Sequence, residues 1–408
     1  MNELRFGVNY SPSRKWFYTW MDWDEASVLE DLQAIQALGM DHIRAHLLWP
    51  VFQPNMNYVS EVALDRLESL LDMADRCGLD VQVTVLTGWI CGYVHSPYWQ
   101  KDRNMFTSRE MIDAEKFLFS SLAQRIGGHR RFMGFDLGNE LCVLGYGFNP
   151  FTVEQGDRWQ AEMMTHCELV APGKFHVNGV DHGPWFMDFC FSREALANTG
   201  AATSVHAWIL FTGAMKLYEP MDAGCVRLAE YSIELANAYA RDVDRPVWLE
   251  EFGINKNWLD EARMPDFAEQ TIRHAAACRN TWGMTWWCSH DVDSRFVGMD
   301  PLEYGMGLLD THNNIKPVGA RIASLIAEFR ANPVQRIIKR MALVLPDGLI
   351  SRKDTPQDPY PGWHFAHRYM ELVKEGITPA IVLQSRAADK AYLQSRGITE
   401  LVDMSKYR

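Results

Sequence analysis

Apolar positions along the 408-residue chain switch repeatedly between two periods. Short runs of alternating or unbroken apolar residues cover 4–9, 41–47, 80–86, 132–137, 174–178, 202–206, 246–251 and 283–288. Each predicts a strand. Between them, apolar residues recur at helical spacing over 24–38, 62–77, 108–126, 152–170, 222–241, 265–280 and 317–330, with a poorer stretch near 190–198. These predict helices, and Gly39, Gly78 and the Gly127–Gly128 pair supply the stops.

Eight strand-then-helix units predict an α/β fold, a (β/α)8 TIM barrel over residues 1–333. A doubly wound open sheet is the competing arrangement. It usually needs fewer units, and no Gly-x-Gly-x-x-Gly follows the first strand here. Beyond Pro333 the pattern predicts strands at 341–345, 380–383 and 398–402 and helices at 362–375 and 387–395. The connection 346–361, PDGLISRKDTPQDPYP, reads as a loop. Residues 334–408 thus form a small βαβ-type C-terminal α/β appendage. It has no phosphate-cradling glycine loop, which points to a structural or assembly role.

Composition narrows the function. An apolar fraction of 47% with 23% charged residues supports a full core. The net charge of −12 disfavours nucleic acid and anionic membranes as partners. No tract is apolar enough to span a bilayer. MNELRFGVNY has no basic segment followed by an apolar run, which reads as a cytoplasmic protein. The eight cysteines form no C-x-x-C and suggest neither a zinc cage nor a disulfide framework. Many of the fifteen tryptophans fall in predicted loops, where flat rings serve binding.

In this barrel the reaction site lies at the C-terminal ends of the strands. The fourth predicted strand runs FMGFDLGNEL and delivers Glu140 just past its end. Alone, such a residue is as well read as a surface or capping acid. The seventh, PVWLEEFG, carries Glu250 and Glu251, which an extended strand points to opposite sides. Strict alternation puts Glu251 on the side of Leu249 and Val247. Two carboxylates, Glu140 and Glu251, then meet at one face of the barrel. Such a pair suits glycosidic bond cleavage, in which one acid protonates the leaving oxygen and the other attacks or stabilises the anomeric carbon.

Asn-Glu after the fourth strand and Glu-Phe-Gly after the seventh resemble glycoside hydrolase family 5, retaining (β/α)8 hydrolases, over residues 1–330. The resemblance implies Glu140 as acid/base, Glu251 as nucleophile and Asn139 as a contact to the substrate 2-hydroxyl. It further implies that Arg44, in DHIRAHLLW, bonds the nucleophile and that His206 belongs to the site. Trp287 of MTWWCSHD, or else its neighbour Trp286, resembles the sugar platform; Trp287 is the choice made here. Two departures stand out. No histidine follows the third strand in VTVLTGW, and the sixth reads His206-Ala207-Trp208, without the tyrosine that contacts the nucleophile.

Long connections at 87–107, 141–151 and 289–305 decorate the same face. The first carries Trp89, Tyr93, His95, Tyr98, Trp99 and Phe106. Trp89, His95 and Trp208 are taken as sugar contacts, and Asp291 of SHDVDS as a free polar contact to a second sugar. No metal or organic cofactor is expected. Loops that wall a cleft into a pocket favour an exo-acting β-glycosidase on short oligosaccharides. The alternatives are an endo-acting mannanase or glucanase and a non-catalytic carbohydrate-binding barrel. Within the family, the overall look, including the small appended α/β tail, resembles an intracellular β-mannosidase branch, which implies Man-β-1,4-GlcNAc as substrate. An acidic barrel with an added module also predicts a homo-oligomer.

Overall fold

The computed structural model describes residues 3–347 and 359–404. Seven strands form one parallel sheet: β1 (Arg5–Tyr10), β2 (His42–Leu48), β3 (Asp80–Thr87), β4 (Phe132–Gly138), β5 (Thr203–His206), β6 (Val247–Phe252) and β7 (Thr281–Trp286). Their order is β4-β3-β2-β1-β7-β6-β5. The helices are α1 (Glu25–Ala37), α2 (Glu61–Cys77), α3 (Arg109–Ile126), α4 (Leu141–Gly147), α5 (Val153–Val170), α6 (Arg193–Asn198), α7 (Leu228–Tyr239), α8 (Met264–Ala276) and α9 (Pro317–Ala331), with a few shorter turns between them.

The predicted strand 174–178 does not form a regular ladder, yet it fills the stave between β4 and β5. Leu137 N–H donates to Val177 O (3.0 Å), Val177 N–H to Phe135 O (2.9 Å) and Ala201 N–H to His176 O (2.8 Å). The ladder fails because His176 N–H turns back onto Lys174 O (3.0 Å). With that stave the sheet closes as a (β/α)8 TIM barrel. The predicted helix 222–241 breaks at Arg227 into the turn Ala223–Val226 and α7.

Local chemistry explains the elements. In α2, Leu64, Leu67, Leu70, Leu71 and Ala74 place a buried stripe at three- and four-residue spacing. Ser60 accepts from Ala63 N–H (3.3 Å) at its start, and Gly78 at φ 71° ends it. Each such leucine contributes about 1.5–3 kcal/mol on burial.

The barrel is packed in layers. Near its N-terminal end, Thr285 Oγ1 meets His42 Nε2 (2.8 Å) and accepts from Trp248 Nε1 (2.7 Å). Gly7 is required beside them, since a Cβ there would lie 2.3 Å from His42 Nε2. Arg44 and its partners occupy the next layer up.

Past the barrel, β8 (Met341–Leu345), β9 (Ala380–Leu383) and β10 (Glu400–Asp403) form a parallel sheet in the order β9-β8-β10, with helices α10 (His364–Lys374) and α11 (Lys390–Arg396). Most of the predicted loop 346–361 lies outside the described residues. Leu343, Phe365 and Tyr369 join the apolar core of the barrel. Lys339, buried between the two parts, pairs with Glu230 (2.6 Å) and Glu234 (3.2 Å) of α7. Among the described residues no helix is long and apolar enough to cross a membrane.

Candidate active site

The chain leaves β4 through Gly138 and Asn139, and Glu140 follows with φ 48°. That left-handed conformation disfavours a side chain with a Cβ. It is held by Glu140 N–H donating to Gly179 O (3.0 Å), and it turns the carboxyl into the barrel mouth at the start of α4. Gly179, at φ 59°, permits the approach, because a Cβ there would sit 2.1 Å from Asp136 Oδ1.

On β6 the strict-alternation reading needs correction. Val205 pairs with Leu249 but His206 pairs with Glu251, so the register slips by one residue at Glu250. This bulge directs Glu250 and Glu251 both inward. Glu250 is fully buried, 3.2 Å from Arg44 Nε and 3.4 Å from His206 Nε2. Glu251 accepts from Arg44 Nη1 (2.6 Å) through one oxygen and from Trp208 Nε1 (3.3 Å) through the other.

His206 ties the two predicted acids together. Its Nδ1 lies 3.2 Å from Glu140 Oε1 and 3.4 Å from Glu251 Oε2. One oxygen of each carboxyl and a ring nitrogen of His206 all fall within 4.8 Å of one another. Burial lowers the affinity of His206 for a proton, but Glu251 and Glu140 outweigh it and push its pKa up to about 10. The ring is therefore charged at neutral pH. Burial also raises Glu140, yet the His206 hydrogen bond and charge bring it below the ordinary glutamate value. At Glu251 burial wins over His206 and Arg44, and the pKa rises. Two acids this close titrate as a pair.

Arg44 is buried and faces Asp136 (2.6 Å) as well as both β6 glutamates. Burial and Glu250 raise Asp136 to about 7 against the pull of Arg44. Asn9 orients the layer: its Oδ1 accepts from Arg44 Nη1 (3.1 Å) and lies 3.1 Å from His46 Nε2. Glu140, His206 and Glu251 together have the spacing of a metal site. Arg44 against Glu251 and the charged imidazole oppose a divalent cation there by like-charge repulsion.

The two acids open into a cavity of about 120 Å³ lined also by Trp89, Asn139, Trp208, Phe211, Trp287 and Glu303. A larger cavity of about 360 Å³ lies between α7 and the appendage, remote from these carboxylates.

No family model matches the chain. Among solved structures it is similar to GH5_18 from Streptomyces cattleya in complex with GlcNAc, at 35% identity over 99% of both chains and a TM-score of 0.93. A Glu-to-Ala variant of GH5_18 from the same organism, in complex with Manβ1-4GlcNAc, matches at 35% identity over 99% of this chain and 100% of that one, TM-score 0.93. A Glu-to-Ala GH5_18 variant from Bifidobacterium longum subsp. longum, also in complex with Manβ1-4GlcNAc, matches at 31% identity over 98% and 96%, TM-score 0.89. This chain belongs to glycoside hydrolase family 5.

The remaining residues expected from the sequence fall into two groups. Arg44, Asn139, His206, Trp208, Trp287 and Trp89 gather around the acid pair. Asn139 Nδ2 donates to Trp89 O (2.9 Å), while its buried Oδ1 has no partner among the described residues. Trp287 lines the cavity; Trp286 packs on Phe252 and donates to Met306 O (3.2 Å). Trp208 takes the place the sequence left empty, its indole N–H reaching the carboxylate that the family's tyrosine would contact.

His95 and Asp291 do not join the site. His95 N–H bonds Gly88 O (2.6 Å) across the hairpin Trp89–Ile90/Tyr93–Val94, which sets the ring against Trp16 and Tyr93, off the cavity wall. Asp291 is off the cavity wall, and its Oδ1 accepts from Lys316 Nζ (2.7 Å) and Gly307 N–H (2.8 Å).

Asn9, His46, Asp136, Glu250 and Glu303 escaped the sequence reading. For three of them a signal existed. Asn9, Asp136 and Glu250 are polar residues inside runs otherwise built for burial, and such residues need partners.

Proposed function

We propose that the protein is a retaining exo-β-mannosidase that releases mannose from Man-β-1,4-GlcNAc-type disaccharides. The observation that carries the retaining reading is the acid pair with carboxyl oxygens within 4.8 Å. Retaining glycosidases hold their carboxyls about 5–5.5 Å apart, whereas inverting ones leave about 6.5–9.5 Å for a water. The sugar assignment draws on the GH5_18 structures that hold Manβ1-4GlcNAc.

The wall beside the cavity supports the exo reading. Tyr93 Oη on the hairpin donates to Val297 O (3.4 Å) of the loop after β7, and Tyr18 packs on Phe296 at 5.4 Å. These contacts join the loops after β1, β3 and β7 into a continuous barrier.

In the first step a Glu251 oxygen attacks the anomeric carbon, and the bond to the leaving oxygen breaks as Glu140 gives that oxygen its proton. In the second, Glu140 takes a proton from water, and the resulting hydroxide oxygen displaces Glu251. Arg44 and Trp208 hold Glu251 in line for attack. The reactive arrangement is the singly protonated pair with its proton on Glu140. His206 opposes that placement by holding the pKa of Glu140 below the ordinary value.

The test follows hydrolysis of Man-β-1,4-GlcNAc by NMR. β-Mannose is expected as the first anomer, and Glu251→Ala with azide is expected to yield α-mannosyl azide. Initial α-mannose, or near-normal turnover by Glu251→Ala, refutes the assignment. Release of internal fragments from mannooligosaccharides refutes exo action, and loss of activity with a chelator refutes the metal-free chemistry.

A further inference from the structure

The pocket holds a third acid that the proposed reaction does not use. Glu303 lines the same cavity as Glu140 and Glu251 and is half-buried. Its Oε2 accepts from Trp287 Nε1 (3.2 Å), and Cys91 lines the same cavity beside it. Glu251 faces Arg44 and Glu140 faces His206, but Glu303 has no cationic partner among the described residues.

The backbone around Glu303 is firmly held. Glu303 N–H donates to Asp300 O (3.0 Å), Val292 N–H to Glu303 O (3.3 Å), and Asn255 Nδ2 to Leu302 O (2.5 Å). Tyr304 Oη closes the loop onto Phe296 O (2.5 Å). The carboxyl is thus a fixed fixture of the wall. Burial raises its pKa to about 7, with Trp287 and Cys91 opposing and Asp300 and Glu251 adding to the rise. Near neutral pH it is populated both as an acid that donates and as a carboxylate that only accepts.

A carboxyl held by one indole keeps lone pairs unspent. Facing a cavity of sugar size, those lone pairs need a partner that enters with the substrate. Sugar hydroxyls, which both donate and accept, supply one. We propose that Glu303 binds a hydroxyl of the terminal sugar and, by fixing the Trp287 ring, sets which sugar the pocket accepts. This rests on the glycosidase reading above.

The experiment compares wild type, Glu303→Ala and Glu303→Gln on an aryl β-mannoside and its monodeoxy counterparts. For Glu303→Ala, kcat/KM on the parent is expected to fall about 10- to 100-fold, mainly through KM. One deoxy substrate, penalised in wild type, should be cleaved by Glu303→Ala as well as the parent is. Glu303→Gln keeps an acceptor for Trp287 and is expected to recover part of the loss. It should also erase an inflection near pH 7 in the wild-type KM profile. If Glu303→Ala does not fold, the Gln variant's deoxy penalties and KM profile decide.

Deoxy penalties equal in wild type and variants, with the inflection unchanged, overturn the proposal. Wild type failing to cleave the β-mannoside refutes the mannosidase reading instead. The deoxy series is then run on whichever aryl β-glycoside the wild type does cleave.

Discussion

Arg44→Met removes the cation on which the centre of the barrel depends. Its guanidinium is buried against Asp136 (2.6 Å), Glu251 (2.6 Å) and Glu250 (3.2 Å). Methionine fills similar space without charge and leaves His206 as the remaining cation of the cluster. Breaking a buried pair by removing one partner costs about 3–5 kcal/mol. The cluster relieves itself by taking up a proton. Burial favours the neutral form of Glu250, and Arg44, the largest opposing influence, holds its pKa below the ordinary value. In the variant that pKa rises, so the folded variant keeps a proton that the unfolded chain has released above pH of about 4. The folded state then binds more protons than the unfolded one, and stability falls as pH rises. One retained proton costs about 1.4 kcal/mol per pH unit, or about 2.7 kcal/mol between pH 5 and 7. Wild-type Asp136, at about 7, is largely protonated over that window and adds little to the difference. Thermal unfolding of both proteins from pH 5 to 7 is the assay, and the gap in Tm should widen with pH. A gap of constant size would refute the claim that Arg44 holds Glu250 ionised.

Glu140→Ala should spare aryl glycosides with good leaving groups far more than the natural disaccharide, since they need no proton; equal losses on both contradict the acid role. His206→Asn removes the charge that lowers Glu140 and opposes burial at Glu251, so both limbs of the pH–rate bell should move to higher pH. A bell that stays put or moves down refutes the coupling. Trp208→Phe deletes the donor to Glu251 and should lower kcat about 5- to 10-fold, read by steady-state kinetics with Tm unchanged. Lys339→Met removes the cation shared by Glu230 and Glu234, which keep Arg227 (2.8 Å) and Arg396 (3.4 Å), and should cost about 1–3 kcal/mol in denaturant unfolding, with kcat per folded molecule intact.

The layers of the fold were legible because burial writes a period into the sequence. Runs such as VTVLT in β3 and the stripe of α2 carry their own direction, and Gly78 marks its own stop. The fifth stave misled because a ladder depends on register with two neighbours, whereas the pattern at 174–178 reports only local preference. His95 and Asp291 misled for a related reason. A polar or aromatic residue in a loop finds its partner through the loop's path. Lys316, which neutralises Asp291, lies 2.7 Å away in space but on a later segment of chain. Glu303 gave no local sign at all, because its surroundings are assembled from the hairpin after β3 and the loops after β6 and β7.

Glu140 and Glu251 do lie together at one mouth, but strand alternation is not the reason. Alternation alone would have sent Glu251 outward with Leu249. The bulge at Glu250 reverses this, and the left-handed backbone at Glu140 performs the same office on β4. Neither feature favours folding: a bulge interrupts the ladder, and a non-glycine residue with positive φ costs about 1–3 kcal/mol. Both departures aim a carboxyl at one imidazole, His206, from opposite sides of the barrel mouth. Regular strands would alternate such residues between core and lumen and leave the two acids on different faces. The slip at Glu250 and the left-handed Glu140 both fall at the C-terminal ends of their strands, which is where the candidate site lies.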